Sequence, residues 1–129
     1  MAKNHYEFEL QKAVAKYLSM KYPKVLFMSD TIASLKLTMG QASRNKLIQK
    51  SGFKCPDIII LKPKRGYHGL FIELKIKSPF KKDGTLLKNE HLEGQQQTIE
   101  QLNELKYFAT FATGFDEAKT IIDNYMKIK

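Results

Sequence analysis

Cysteine is almost missing from this chain. Cys55 stands alone, so neither an internal disulfide nor a cysteine zinc cluster can form. No run of about eighteen apolar residues occurs, the length a membrane-spanning helix needs, and no membrane partner is expected. Met1 to Glu7 lacks the apolar stretch of a secretory signal, and none is expected there. There is no internal repeat, no low-complexity linker, no P-loop, no G-x-G-x-x-G and no G-x-S-x-G. His5, His68 and His91 lack the spacing of a metal or nucleophile motif. These absences point to a soluble protein of a reducing cell interior, in the cytoplasm of a bacterial host, with a phage-encoded origin as an open alternative.

Acidic residues are scarce in one place in particular. Residues 31–88 hold thirteen basic and three acidic residues, a net of +10, whereas residues 89–129 hold four basic and seven acidic. The overall charge of +9 is therefore concentrated in the middle of the chain. Such a surface attracts polyanions and gains from counterion release, which makes nucleic acid a candidate partner. The three acids within it are Asp57, Glu73 and Asp83. A carboxylate on a phosphate-facing surface is repulsive unless a divalent cation bridges the two.

A length of 129 residues with 43% hydrophobic content suits one folded domain spanning 1–129. Glu7 to Met20 reads as an amphipathic helix with Leu10, Val14, Tyr17 and Leu18 on one side, Asn4 as its N-cap and Pro23 beyond its end. Val25 to Met28 reads as a short strand. A basic insert around 30–53 follows, with a helix expected over Gln41 to Lys50. Asp57–Leu61 and Leu70–Ile76 read as two strands joined by the turn residues Pro63-Lys64-Arg65-Gly66. A long basic loop covers 77–90. A helix from His91 to about Leu105, a strand from Tyr107 to Ala112 and a helix from Asp116 to Lys127 complete the chain. The order implies an α/β fold with a mixed sheet flanked by helices.

Within the hairpin, Glu73 and Lys75 share a strand face by their two-residue spacing. A turn centred near 65 or 66 sets Asp57 opposite Glu73 or Lys75. Two carboxylates and an amine then meet on one side of an apolar hairpin. One explanation is an ion pair of Lys75 with Asp57 or Glu73. The other is a site for Mg²⁺ or Mn²⁺, which take hard oxygen ligands and keep waters, with Lys75 beside the reacting water. Cys55 is expected to point away from Asp57.

These residues carry a family resemblance. Pro56-Asp57, fifteen intervening residues and Glu73-Leu74-Lys75 resemble the PD-(D/E)XK nuclease signature. Gly52-Phe53-Lys54-Cys55-Pro56-Asp57-Ile58 and Phe71-Ile72-Glu73-Leu74-Lys75 resemble the VRR-NUC (virus-type replication–repair nuclease) branch. Gln95 with Leu102 resembles that branch's glutamine helix, and Glu7 with Leu10-Gln11 its first helix. The chain departs from the pattern with Leu92-Glu93-Gly94 before Gln95 and with Lys106 where the branch has glycine. Gln96 or Gln97 remains an alternative to Gln95.

The resemblance implies a restriction-endonuclease-like core and a metal-dependent DNA endonuclease. It implies Asp57, Glu73 and the backbone carbonyl of Leu74 as metal ligands, Lys75 as the catalytic lysine and Gln95 beside the centre. One acid of the first helix would join them. Glu7 is preferred to Glu9 because it lies at the edge of the apolar stripe. The resemblance further implies branched or junction DNA as substrate and a symmetric homodimer. Lys54, Lys62, Lys64, Arg65, Lys77, Lys81 and Lys82 are candidate phosphate contacts, and Arg44, Lys46 and Lys50 a second surface. Two rivals stand beside this reading: a catalytically idle DNA-binding module on the same fold, and an interaction protein that uses the basic face.

Overall fold

A computed structural model describes residues 2–30 and 37–129. The elements run α1 (Ala2–Lys21), β1 (Phe27–Ser29), α2 (Met39–Ile48), β2 (Ile58–Ile60), β3 (Leu70–Lys75), α3 (Glu90–Glu104), β4 (Phe108–Thr113) and α4 (Gly114–Met126). This is the α/β order expected from the sequence. The strands form one sheet in the order β1-β2-β3-β4. β1, β2 and β3 pair antiparallel, and β3 pairs parallel with β4. A parallel neighbour cannot be reached by a tight turn, and α3 makes the crossover.

Two apolar layers sandwich the sheet. On one face Val14 and Leu18 of α1, with Ala118, Ile122 and Tyr125 of α4, pack on Ile58, Ile60, Leu70, Ile72 and Leu74. On the other, Ile99 and Leu102 of α3 pack on Ala109 and Phe111, joined by Phe53 and Phe71. The alternation within β3 is therefore functional in both directions. Leu70, Ile72 and Leu74 enter the first layer, each worth about 1.5–3 kcal/mol of burial. The odd-numbered positions are left to the opposite face.

α1 begins five residues before the expected Glu7, and Asn4 lies within it rather than at its N-cap. No glycine or proline interrupts 2–21, so nothing in that stretch delays the helix. Of the insert, residues 31–36 lie outside the described residues, and α2 occupies Met39–Ile48. Its N-cap, Thr38, exchanges hydrogen bonds with Gln41 in a capping box. The long 76–89 loop is folded on itself: Phe80 and Leu86 form a bridge, Pro79 is buried, and Asp83 accepts from the Thr85 backbone.

α3 ends in a left-handed turn. Lys106 has φ +72°, Tyr107 N–H donates to the Leu102 carbonyl, and Lys106 N–H donates to that of Asn103. This is the six-to-one and five-to-two pattern in which glycine is the usual occupant.

Candidate active site

β2 starts one residue after Asp57, and that interruption places the carboxylate. The β2–β3 register pairs Ile58 with Ile72, and carried one residue further it sets Asp57 opposite Glu73. In place of the next backbone rung, Asp57 Oδ2 accepts the N–H of Leu74 at 2.8 Å. The Asp57 carbonyl accepts from Asp30 N–H at 2.9 Å and from Gln11 Nε2 at 3.2 Å. Gln11 also donates to the Asp30 carbonyl at 2.7 Å. One amide of α1 thus fastens the ends of β1 and β2 together beneath the carboxylate.

Glu73 faces away from the first apolar layer yet is only 6% exposed. Its carboxyl stands beside that of Asp57, across the β2–β3 register. Burial is the main cause that pushes its pKa up, followed by the charge and hydrogen bond of Asp57 and the nearby Asp30, with Lys75 opposing; the result is about 9. Lys75 occupies the same face of β3, its Nζ 5.8 Å from the centre of the Phe111 ring. Phe111 is the β4 partner of Glu73 in the parallel register.

Asp57, Glu73, Leu74, Lys75 and Gln95 line a single cavity of about 540 Å³, and Glu7 contributes to its wall. Glu9 does not line it and lies 3.9 Å from His5 on the same helix. Gln95 is 7% exposed, with Nε2 3.1 Å from His91 Nε2 and a buried Oε1 that has no hydrogen-bond partner. Such an orphaned acceptor costs about 1–3 kcal/mol, which a ligand or water in the cavity would offset. Gln96 is not among the lining residues, and Gln97 lines a neighbouring hollow.

Several lining residues were not foreseen. Asp30 and Asn45, Gln49 and His91 all reach the cavity. Asp30 follows the short strand that the sequence did show, but no spacing ties it to Asp57, and α2 has no buried residue to mark its inner side. Cys55 also lines the cavity, which corrects the expectation that it points away. It stands two residues before Asp57, a spacing that shares a side rather than alternates. Burial and the carboxylates Asp30, Glu73 and Asp57 push its thiol pKa up, so it stays a poor nucleophile.

Of the basic candidates, only Lys54 lines the cavity. Lys62, Lys64 and Arg65 lie in the turn beyond Ile60, at the opposite end of the hairpin from Asp57. Lys64 Nζ is engaged there by the carbonyl of Met126 at 2.9 Å. Lys77, Lys81 and Lys82 are exposed on the segment that leaves β3 just beyond Lys75. Arg44, Lys46 and Lys50 are exposed on and after α2.

The donor set fits a hard divalent cation. Two carboxyls that face each other across the register and line one cavity stand close enough to share an ion. Among the described residues no three His, Cys, Asp or Glu side chains are grouped as a ligand set. An ion would therefore rest on Asp57, Glu73 and the Leu74 carbonyl, with water completing its shell, as Mg²⁺ prefers.

No family model and no curated protein matches the chain. A solved structure described as a VRR_NUC domain protein does. It superposes with a TM-score of 0.64 over 95% of this chain and 88% of its own, at 25% sequence identity. The mixed sheet with flanking helices is thus a nuclease-family fold, and the likeness noted in the motifs extends over nearly the whole chain. Among the described residues no helix is long and apolar enough to cross a membrane.

Proposed function

Taking the shared VRR-NUC fold as premise, we propose that this chain is a metal-dependent DNA endonuclease that hydrolyses phosphodiester bonds. The observation that carries the reading is the placement of the Asp57 and Glu73 carboxyls opposite each other in a cavity that Lys75 also lines. When bound, Mg²⁺ or Mn²⁺ would supply charge to the scissile phosphate and make a water more acidic.

The chain's own residues do the rest. Asp57 and Glu73 hold the ion, with Glu7 on the cavity wall available to a second one. Lys75 presents its ammonium to the attacking water and to charge that develops on phosphorus. Gln95 offers its unpartnered Oε1 as an acceptor that orients the same water. Lys77, Lys81 and Lys82 extend the basic surface from the end of β3, where they contact backbone phosphates. Branched or junction DNA is the proposed substrate and a twofold dimer the working form, since a single small domain offers little surface for a four-way junction.

The test is cleavage of labelled linear, flap, single-stranded and four-way DNA with Mg²⁺, Mn²⁺ or EDTA, beside Lys75→Ala. Metal-dependent cleavage lost in Lys75→Ala is expected. No cleavage of any substrate, or cleavage indifferent to Lys75→Ala, would overturn the reading.

A further inference from the structure

Gly94 occupies the interior of α3, where glycine weakens a helix. Its neighbour explains its presence. A Cβ at this position would lie 2.4 Å from Cε and 3.0 Å from Cδ of Lys54. The stem of Lys54 therefore runs directly across the helix backbone at Gly94. The other end of the residue is held by the same helix: Lys54 N–H donates to Thr98 Oγ1 at 3.0 Å, and Thr98 is fully buried. Gly94 and Thr98 are four apart and share a helix face.

This double attachment delivers a cation to a specific place. Lys54 lines the cavity that holds Asp57 and Glu73, and also the hollow beside it formed with Glu90, Glu93 and Gln97. It takes part in no salt bridge among the described residues, although two glutamates border that hollow. A lysine stem normally has much rotamer freedom to lose when its ammonium binds an anion. Packing it into the notch of a glycine reduces that loss before a ligand arrives.

Resting on the nuclease reading, we propose that Lys54 is a phosphate-binding arm. Positioned by Gly94 and Thr98, it takes a DNA backbone phosphate next to the scissile one. Gly94 is then a positioning residue that acts through Lys54 alone.

The experiment measures binding of labelled duplex and four-way DNA in Ca²⁺ across a salt series, for wild type, Lys54→Ala, Lys54→Arg, Gly94→Ala and the double alanine variant. Lys54→Ala should flatten the slope of log Kd on log salt by about one per bound protomer, the signature of one lost phosphate contact in each. Lys54→Arg should keep the slope. Gly94→Ala displaces only the far end of a flexible side chain, so it should keep or raise the melting temperature while it flattens the slope. The double variant should bind no worse than Lys54→Ala.

An unchanged slope in Lys54→Ala, or fully additive losses in the double variant, would overturn the arm. A fall in melting temperature of Gly94→Ala without a slope change would overturn its positioning role. Wild-type cleavage in Mg²⁺, run in parallel, separates the two readings. Cleavage with an unaltered slope sinks the arm alone, whereas neither binding nor cleavage sinks the nuclease reading and the arm together.

Discussion

Asp57 Oδ2 accepts the N–H of Leu74 at 2.8 Å, so a side chain completes the ladder that the backbone of β2 abandons. Removing the carboxylate therefore has a structural effect besides a chemical one. Asp57→Ala leaves a buried strand amide unpaired and should cost roughly 1–3 kcal/mol in urea unfolding. Asp57→Asn keeps an acceptor and should retain most of that stability. Both variants should lose metal-dependent cleavage. Equal stability of the Ala and Asn forms would show that the 2.8 Å bond carries no weight.

Glu73 makes the metal-free protein sensitive to alkali. Its pKa is raised from 4.5 to about 9, chiefly by burial and then by the charge of Asp57. The folded state binds the proton more tightly than the unfolded state, so the contribution is complete below pH 4.5 and disappears as pH climbs towards 9. Melting curves in EDTA should show a decline between pH 6 and 9 that Glu73→Gln flattens. Added Mg²⁺ should reverse the decline, because it selects the ionised form and stabilises the state that binds it. A Glu73→Gln protein with the wild-type slope would assign the titration elsewhere.

A second polar cluster ties the two helices of the opposite face. Asp123 on α4 accepts hydrogen bonds from Tyr17 at 2.6 Å, Tyr22 at 2.7 Å and Lys119 at 3.1 Å. Burial alone would raise its pKa, but the hydrogen bonds win and hold it well below the usual carboxylate range. Tyr22 is pushed up to about 12 by burial and by Asp123. The Asp123 contribution is present above its unfolded value of 3.8 and fades as pH falls through the folded one. The Tyr22 contribution is present below pH 10 and fades towards 12. Asp123→Asn should cost about 1–3 kcal/mol at neutral pH and shrink the acid-side decline in melting temperature. A neutral effect at pH 7 would reduce the cluster to surface decoration.

Lys106 holds a backbone conformation that suits glycine. With φ +72° at the turn after α3, its Cβ meets the steric penalty of the left-handed region. Lys106→Gly should stabilise the fold by about 1 kcal/mol, read from denaturant midpoints with an unchanged slope. A loss of stability would mean that the lysine side chain makes a compensating contact.

The hairpin was the most legible part of the chain. A turn near 65 and the two-residue repeat were enough to bring Asp57 opposite Glu73 and to set Lys75 on the same face. The order of elements followed from periodicity and turn chemistry, because every element but α2 turns an apolar side to a core. What could not be read was proximity without a pattern. Gln11 reaches the carbonyls of Asp30 and Asp57 across 19 and 46 residues, and no local spacing encodes such a bond. The basic residues show the opposite limit: charge density says nothing of direction, and Lys64 and Arg65 lie at the far end of strands whose near end holds the carboxylates. Gly94 was visible as a departure from the family pattern, but its reason, the stem of Lys54, exists only in three dimensions.

β3 is paired along its whole length with β4 and over Leu70–Ile72 with β2, and the Asp57 carboxylate extends the second edge to Leu74. An inner strand of this kind cannot be released by fraying, and its amides should be among the slowest in the chain to exchange with deuterium. Glu73 and Lys75 therefore ride on a backbone held by β4 and by the Asp57 carboxylate, which should be among the last to open. Any adaptation to differently shaped substrates falls to the walls around them, to α2 and the 76–89 loop. In evolutionary terms the proposed metal ligands and the fold rise and fall together, while the residues around them are free to vary.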